Sequence, residues 1–271
     1  MDIHSTRTLH NGVQIPLLGL GTWQILSGPQ AENVVGWALE SGYRHIDTAA
    51  AYDNEQSVGR AIERSSIPHN ELFVTTKLWN TDHLIAEKAF ATSLKKLNLS
   101  YVDLYLVHYP ISQTRIQAWK SLEKIAKTGQ ARAIGVSNFT VSHLKELLEQ
   151  CEIVPAVNQV EFSPFLFQKE LLEYCQKNKI QLTAYSPLTR GLRLDDDRLL
   201  DLADRYRKTP AQLLIRWAIQ HEIVVIPKSS QKGRIIENGN VFDFSLTAKH
   251  MDVLDNFNEN FRVCWDPTKE T

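Results

Sequence analysis

Eight short apolar runs, separated by amphipathic stretches of helical spacing, predict an α/β chain whose strands pair in parallel and close into a (β/α)8 or TIM barrel. The runs are 17–20, 43–46, 72–76, 102–107, 131–136, 156–160, 180–184 and 223–226. Parallel neighbours need a crossover connection, which the helical stretches supply. The length of 271 residues is ordinary for one such barrel, and no linker divides the chain, so 1–271 reads as a single domain. An open, doubly wound sheet is the rival with the same alternation.

In chain order, residues 6–9 and 13–15 flank His10-Asn11-Gly12, and Asn-Gly is a tight-turn signal. This N-terminal β-hairpin is expected to cap one end of the barrel. Ala86, Phe90, Leu94 and Leu97 share a helix face, as do Ala118, Trp119, Leu122, Ile125 and Ala126, and Val141, Leu144 and Leu148. Gly129 is placed to stop the second of these helices. Thr209-Pro210-Ala211-Gln212 is a capping box with proline at the first helical position. Residues 187–222 hold two helical patterns, extra length expected at the active face.

Lys and Arg number 30 against 31 Asp and Glu, so no strong field points to nucleic acid or a membrane surface. No apolar run is long enough to span a bilayer, and Met1-Asp2-Ile3-His4-Ser5 opens no secretory signal. Cys151, Cys175 and Cys264 form no CxxC pair, which fits a reducing cytoplasm, and the nine histidines show no metal-ligand spacing. The expected partner is a small molecule, with no obligate protein partner and a monomeric chain.

Catalytic groups of a (β/α)8 barrel stand at the C-terminal ends of its strands. Here Asp47, Lys77, His108, Ser137-Asn138, Gln159 to Glu161, Tyr185 and Lys228 close seven of the eight runs. Each alone is an ordinary strand end, but in common register they converge on one mouth. The first run lacks the third glycine of G-x-G-x-x-G, which disfavours a Rossmann site.

The motifs resemble those of the aldo-keto reductases nearly end to end. They are Gly19-Leu20-Gly21-Thr22-Trp23; Tyr43-Arg44-His45-Ile46-Asp47-Thr48-Ala49 followed by Tyr52, Asn54 and Glu55; Thr76-Lys77-Leu78-Trp79; Asp103 to His108; Ile134 to Phe139; and Ile226-Pro227-Lys228-Ser229. The similarity lies with the small bacterial and plant-type diketogluconate and methylglyoxal reductase branch. It implies NADPH-dependent reduction of aldehydes and ketones by a tetrad of Asp47, Tyr52, Lys77 and His108. Tyr52 would donate the proton, and a phenol with a pKa of about 10 needs help to do so. Lys77 would lower that pKa, Asp47 would orient Lys77, and His108 would hydrogen-bond the carbonyl oxygen.

The resemblance also implies cofactor contacts. Gly21, Thr22, Trp23, Asp47 and Ile226 line the path at strand ends. Tyr185 stacks on the nicotinamide, and Ser137, Asn138 and Gln159 bond its carboxamide. Ser186 and Leu188 flank the pyrophosphate, and Lys228, Ser229 and Arg234 grip the 2′-phosphate. Glu237 and Asn238 reach adenine. Trp23, Trp79 and Tyr109 join Tyr52 and His108 as the expected substrate wall. Tyr109 stands where many relatives have tryptophan. The loop after the fourth strand and the tail from Glu259 are short, so an open pocket without a substrate-side cation is expected. Two further readings use the same residues: a Schiff-base enzyme with Lys77 as nucleophile, and a cofactor-sensing binding protein.

Overall fold

The computed structural model describes residues 1–270. β1 (Thr6–Thr8) and β2 (Gln14–Pro16) form the antiparallel hairpin, Thr8 opposite Gln14. Gly12, at φ 87°, takes the left-handed step in its turn. Eight parallel strands follow: β3 (Leu20–Gly21), β4 (His45–Asp47), β5 (Phe73–Leu78), β6 (Val102–Val107), β7 (Ala131–Ser137), β8 (Val157–Glu161), β9 (Gln181–Tyr185) and β10 (Val224–Val225). Their order in the sheet is their order in the chain.

The first and last runs close the circle. Leu18 bridges Val225 in parallel, Gly19 N donates to Val225 O at 2.8 Å, and Val225 N donates to Leu17 O at 2.9 Å. The first run therefore divides, residues 17–19 pairing with β10 and Leu20–Gly21 with β4. Both edges are consumed, which excludes the open sheet. A Cβ on Gly21 would lie 2.8 Å from Ile226 O, so only glycine lets these strands approach so closely.

Strand residues alternate between two apolar layers. In β6, Leu104 and Leu106 face the barrel interior, while Tyr105 and Val107 face the helices. The interior cluster contains Leu9 and Ile15 of the hairpin beside Phe73 and Val157, the first residues of β5 and β8. The hairpin thus shuts the N-terminal end of the barrel and leaves the C-terminal end as the mouth.

Among the described residues ten α-helices surround the strands: α1 (Pro29–Glu40), α2 (Glu55–Arg64), α3 (Ala86–Leu97), α4 (Arg115–Lys127), α5 (Val141–Leu148), α6 (Lys169–Lys177), α7 (Asp197–Tyr206), α8 (Pro210–Gln220), α9 (Lys232–Gly239) and α10 (Ala248–Asp255). The capping box at Thr209 forms reciprocally with Gln212, and Gly129 follows α4 at φ 78°. α5 has a second box, Thr140 with His143, which the usual Glu/Gln pattern does not reveal. Among the described residues no helix is long and apolar enough to cross a membrane.

His45 is enclosed at 1% exposure, its Nε2 3.1 Å from Thr75 Oγ1. Burial, and then the Lys77 charge, hold its pKa at about 3. Unfolded, it titrates at about 6.5, so on acidification below that value the unfolded chain takes a proton the folded chain refuses. The stability contributed by neutral His45 is therefore present above this window and lost as pH falls through it. Denaturant unfolding at about pH 7 and about pH 5 is expected to show that His45→Asn reduces the acid-induced loss by about 2 kcal/mol. Equal losses in the two proteins would contradict the assignment.

Candidate active site

Asp47 is the last residue of β4, and Lys77 lies one residue from the end of the neighbouring β5. Both are buried. Lys77 Nζ donates to Asp47 Oδ1 at 2.5 Å, to Thr48 O at 2.8 Å and to Tyr52 OH at 3.3 Å. These three bonds use all three ammonium hydrogens. The other carboxylate oxygen, Asp47 Oδ2, accepts from Gln159 Nε2 at 2.7 Å, from β8 across the barrel.

Tyr52 ends a single 3-10 turn, Ala50–Tyr52, just beyond β4. Asn54 holds this loop in place. Its Oδ1 accepts from Thr48 Oγ1 at 2.7 Å, and its Nδ2 donates to Thr22 O at 3.0 Å and Ile25 O at 3.1 Å. The buried Asn54 amide thereby ties the loop after β4 to the loop after β3. Thr22 is itself buried, donating through Oγ1 to Asp47 O at 2.9 Å. His108 follows β6 and sets its ring edge-on to Tyr52 at 5.5 Å and to Trp79 at 5.2 Å between centroids.

Burial dominates the electrostatics. It pushes the Asp47 carboxyl up and the Lys77 ammonium down, and each partner's charge offsets part of the other's shift. Burial, and then the Asp47 charge, hold the Tyr52 phenol well above its ordinary value. Burial outweighs the lowering expected of Lys77, so the net direction at Tyr52 is upward. The enclosed phenol stays protonated, as a proton donor must. Lys77, 3.3 Å away, is placed to stabilise the phenolate as the proton leaves. Burial keeps His108 neutral, well below its ordinary pKa, so it can act as a hydrogen-bond donor but not as a charge.

A cleft of about 1100 Å³ opens above these groups. Gly21, Trp23, Asp47, Tyr52, Trp79 and His108 line its foot, and Ser137, Asn138, Gln159 and Tyr185 form one wall. Ser186, Leu188 and Ile226 continue it towards Lys228, Ser229, Arg234, Glu237 and Asn238 at the far end. The wall is hydrogen-bonded internally. Ser137 Oγ donates to Gln159 O at 2.8 Å, Asn138 Nδ2 donates to His108 O at 2.9 Å, and Tyr185 OH donates to Asn138 Oδ1 at 2.7 Å. Asn138 manages this from a left-handed conformation, φ 67°.

Three of the sequence-derived site residues stand outside the lining. Thr22 and Lys77 lie beneath the floor. Tyr109 is one layer back, donating through its hydroxyl to Asp266 O at 3.1 Å and meeting Trp265 edge-on at 5.9 Å. The place expected for Tyr109 is taken by Trp265, which faces Trp79 at 5.7 Å. The expected open mouth is therefore corrected: short as it is, the tail forms part of the wall. Glu161 anchors it, accepting from Val263 N at 2.6 Å and Cys264 N at 3.0 Å. A lining cation is also present. Arg190 lies over the Trp23 ring at 4.9 Å and donates to Val263 O at 3.3 Å. An apolar pattern search could not find Arg190, Cys264 or Trp265, since their roles depend on where two loops cross.

A closed parallel barrel with a phenol, a buried ammonium–carboxylate pair and a neutral imidazole under one cleft defines a barrel enzyme equipped to protonate a bound oxygen. Residues 17–259 match the Aldo/keto reductase family, and the chain belongs to it. It is 48% identical to the glyoxal reductase of Bacillus subtilis (strain 168), over 98% of this chain and 97% of that one. Among solved structures, an aldo-keto reductase enzyme from a Medee basin deep-sea metagenome library superposes with a TM-score of 0.93 at 44% identity, covering 96% of this chain and 97% of the other. The Bombyx mori aldo-keto reductase in complex with NADP gives 0.90 at 38% identity, covering 97% and 95%. The Schiff-base reading fails on geometry, since Lys77 is 1% exposed with every N–H engaged.

Tyr52→Phe removes the one hydroxyl set between Lys77 and the cleft. Turnover of carbonyl substrate is expected to fall by about a thousandfold or more while cofactor binding, read by fluorescence titration, persists. Near-parental turnover would remove Tyr52 from the chemistry.

Proposed function

We propose that this protein is an NADPH-dependent reductase of small aldehydes, α-dicarbonyls and keto-sugars. One observation carries the reading: Tyr52 OH lies 3.3 Å from Lys77 Nζ at the foot of the cleft, with the neutral His108 ring beside it. Similarity to a glyoxal reductase supports the substrate class. An NADP-bound structural relative supports the cofactor.

The cleft residues fit a dinucleotide. At the far end, partial burial and then the Arg190 charge pull the Lys228 pKa down, so an anion there would relieve repulsion among cations. Lys228, Ser229 and Arg234 would hold the 2′-phosphate, and Arg190 lies over the intervening stretch. At the near end, Gln159 turns its Nε2 to Asp47, leaving its amide oxygen to accept from a carboxamide. Tyr185 would present a ring face fixed by its bond to Asn138.

What the cofactor supplies there is a hydride for the carbonyl carbon; the chain's own residues do the rest. Tyr52 OH gives its proton to the carbonyl oxygen. Lys77 stabilises the phenolate left behind, and Asp47 keeps Lys77 charged and aimed. His108 donates a hydrogen bond to the same oxygen as charge develops on it. Trp23, Trp79 and Trp265 exclude water and give an apolar wall. The reading also takes the enzyme as a cytoplasmic monomer. Three free thiols fit a reducing compartment, and sedimentation velocity checks the monomer.

The direct test is NADPH consumption against methylglyoxal, an aromatic aldehyde, a keto-sugar and a ketosteroid. Turnover of the small dicarbonyl is expected to exceed that of the ketosteroid, and the reverse order would refute the substrate class. NADPH is expected to be preferred over NADH by about tenfold or more, and Arg234→Ala to erase most of that preference. Equal kcat/KM values for the two cofactors in the parent protein would contradict the phosphate site. Trp265→Ala is expected to lower kcat/KM for the aromatic aldehyde by about tenfold while leaving methylglyoxal within about threefold. An unchanged ranking would return Trp265 to simple rim packing.

A further inference from the structure

Trp265 lines the cleft yet is 54% exposed, so burial alone fixes its ring weakly. Trp79 and Tyr109 touch it at an angle rather than enclosing it. The ring is therefore placed by the backbone that carries it. Glu161 grips that backbone just upstream, at Val263 N and Cys264 N. Just downstream, Tyr109 OH donates to Asp266 O at 3.1 Å.

Beyond Asp266 the chain is held again, outside the cleft. Asp266 Oδ1 accepts from Thr268 N at 3.1 Å and from Thr268 Oγ1 at 2.7 Å, and so caps the turn Pro267–Lys269. That turn delivers Glu270 to two other elements. Ser112 Oγ, in the loop after β6, donates to Glu270 Oε2 at 3.1 Å. His143 Nε2, in the first turn of α5, lies 2.7 Å from Glu270 O. The direction of this second bond is fixed at both ends. His143 Nδ1 accepts from the backbone N–H of Thr140 at 3.2 Å, and that group can only donate. Glu270 O is a carbonyl and can only accept. Neutral His143 therefore carries its proton on Nε2, and burial, which lowers its pKa, keeps the ring neutral. One imidazole closes the cap of α5 and docks the tail.

We infer that Ser112 and His143 are specificity-determining positioning residues of the carbonyl-reducing site: by clamping Glu270 they hold Trp265 against Trp79 at the mouth. Neither residue lines the cleft. Without the clamp, the segment beyond Cys264 would rest mainly on the Tyr109 bond and the Arg262–Asp266 contact. A half-exposed ring on a freed segment spends conformational entropy to stay in place. A flat aromatic substrate then loses a fixed wall, whereas a small dicarbonyl held at Tyr52 and His108 needs less of it. The selectivity rests on the reductase reading above; the clamp does not.

The test keeps α5 capped while releasing the tail. Glu is a usual partner at this cap position, so His143→Glu preserves the reciprocal box and replaces the Nε2–H donor with a carboxylate that repels Glu270. In Ser112→Ala/His143→Glu, hydrogen–deuterium exchange of residues 259–270 is expected to quicken by about tenfold or more, with α5 unchanged. The ratio of kcat/KM for an aromatic aldehyde over methylglyoxal is expected to fall by about fivefold, through KM rather than kcat. In a Trp265→Ala background the same two substitutions are expected to move that ratio by less than about twofold, because the ring they position is gone. The inference is overturned by tail exchange within about twofold of the parent, by a ratio that holds while the tail is released, or by an equal fall in the Trp265→Ala background. Should the double variant fail to fold, Glu270→Ala removes the carboxylate that Ser112 holds and carries the same comparisons. A parent protein with no turnover on any carbonyl would refute the reductase reading instead, and the exchange comparison would still decide whether the clamp holds the tail.

Discussion

The Lys77–Asp47 ion pair is the constraint around which the site is organised. Its side chains are 1% and 3% exposed, and burying two charges costs more than their attraction commonly returns. Such a pair is poor evidence for stability and needs another reason to persist. Its position supplies one. The two residues stand on adjacent strands at the mouth, and the ammonium's remaining hydrogens hold the Thr48 carbonyl and the Tyr52 hydroxyl. Removing either charge would leave the other buried and uncompensated, so proton donor and ion pair stand or fall together.

The network then crosses the barrel. Gln159 brings β8 to Asp47, Ser137 ties β7 to Gln159, and Asn138 links the His108 backbone to Tyr185 on β9. The Gln159–Asp47 bond spans the barrel, which only closure can arrange, while the others lace together the ends of β6 to β9. The hairpin contributes from the opposite end, filling the interior with Leu9 and Ile15 so that the polar groups gather at one mouth. The C-terminal tail completes that mouth. Glu161 captures its backbone and Trp265 packs at a tilt against Trp79, so the shape of the mouth is set by residues far apart in the chain.

The sequence displayed the parts that obey local rules. All eight strand runs are present because short apolar segments bounded by polar ends have few other ways to fold, and the Thr209 cap follows from side-chain chemistry alone. Strand-end residues met at one cleft because register in a parallel barrel repeats from strand to strand. What stayed hidden depends on tertiary crossings. Tyr109 reads as a mouth aromatic from its place after His108, yet its hydroxyl turns to the tail and Trp265 takes the space. Arg190 acquires its position from Trp23 and Val263, on two other segments. The direction of the Tyr52 shift was also illegible, since composition reveals a nearby lysine but not the depth of burial that outweighs it.

The central claim is that the buried ammonium acts on Tyr52 during proton transfer rather than by holding the fold together. Single-turnover reduction of methylglyoxal by protein preloaded with NADPH, in Lys77→Met against the parent, measures this most directly. The account predicts a rate lower by about a hundredfold or more with NADPH affinity close to parental, measured well below an unfolding midpoint that itself falls because Asp47 loses its buried partner. A rate within about threefold of the parent would contradict it.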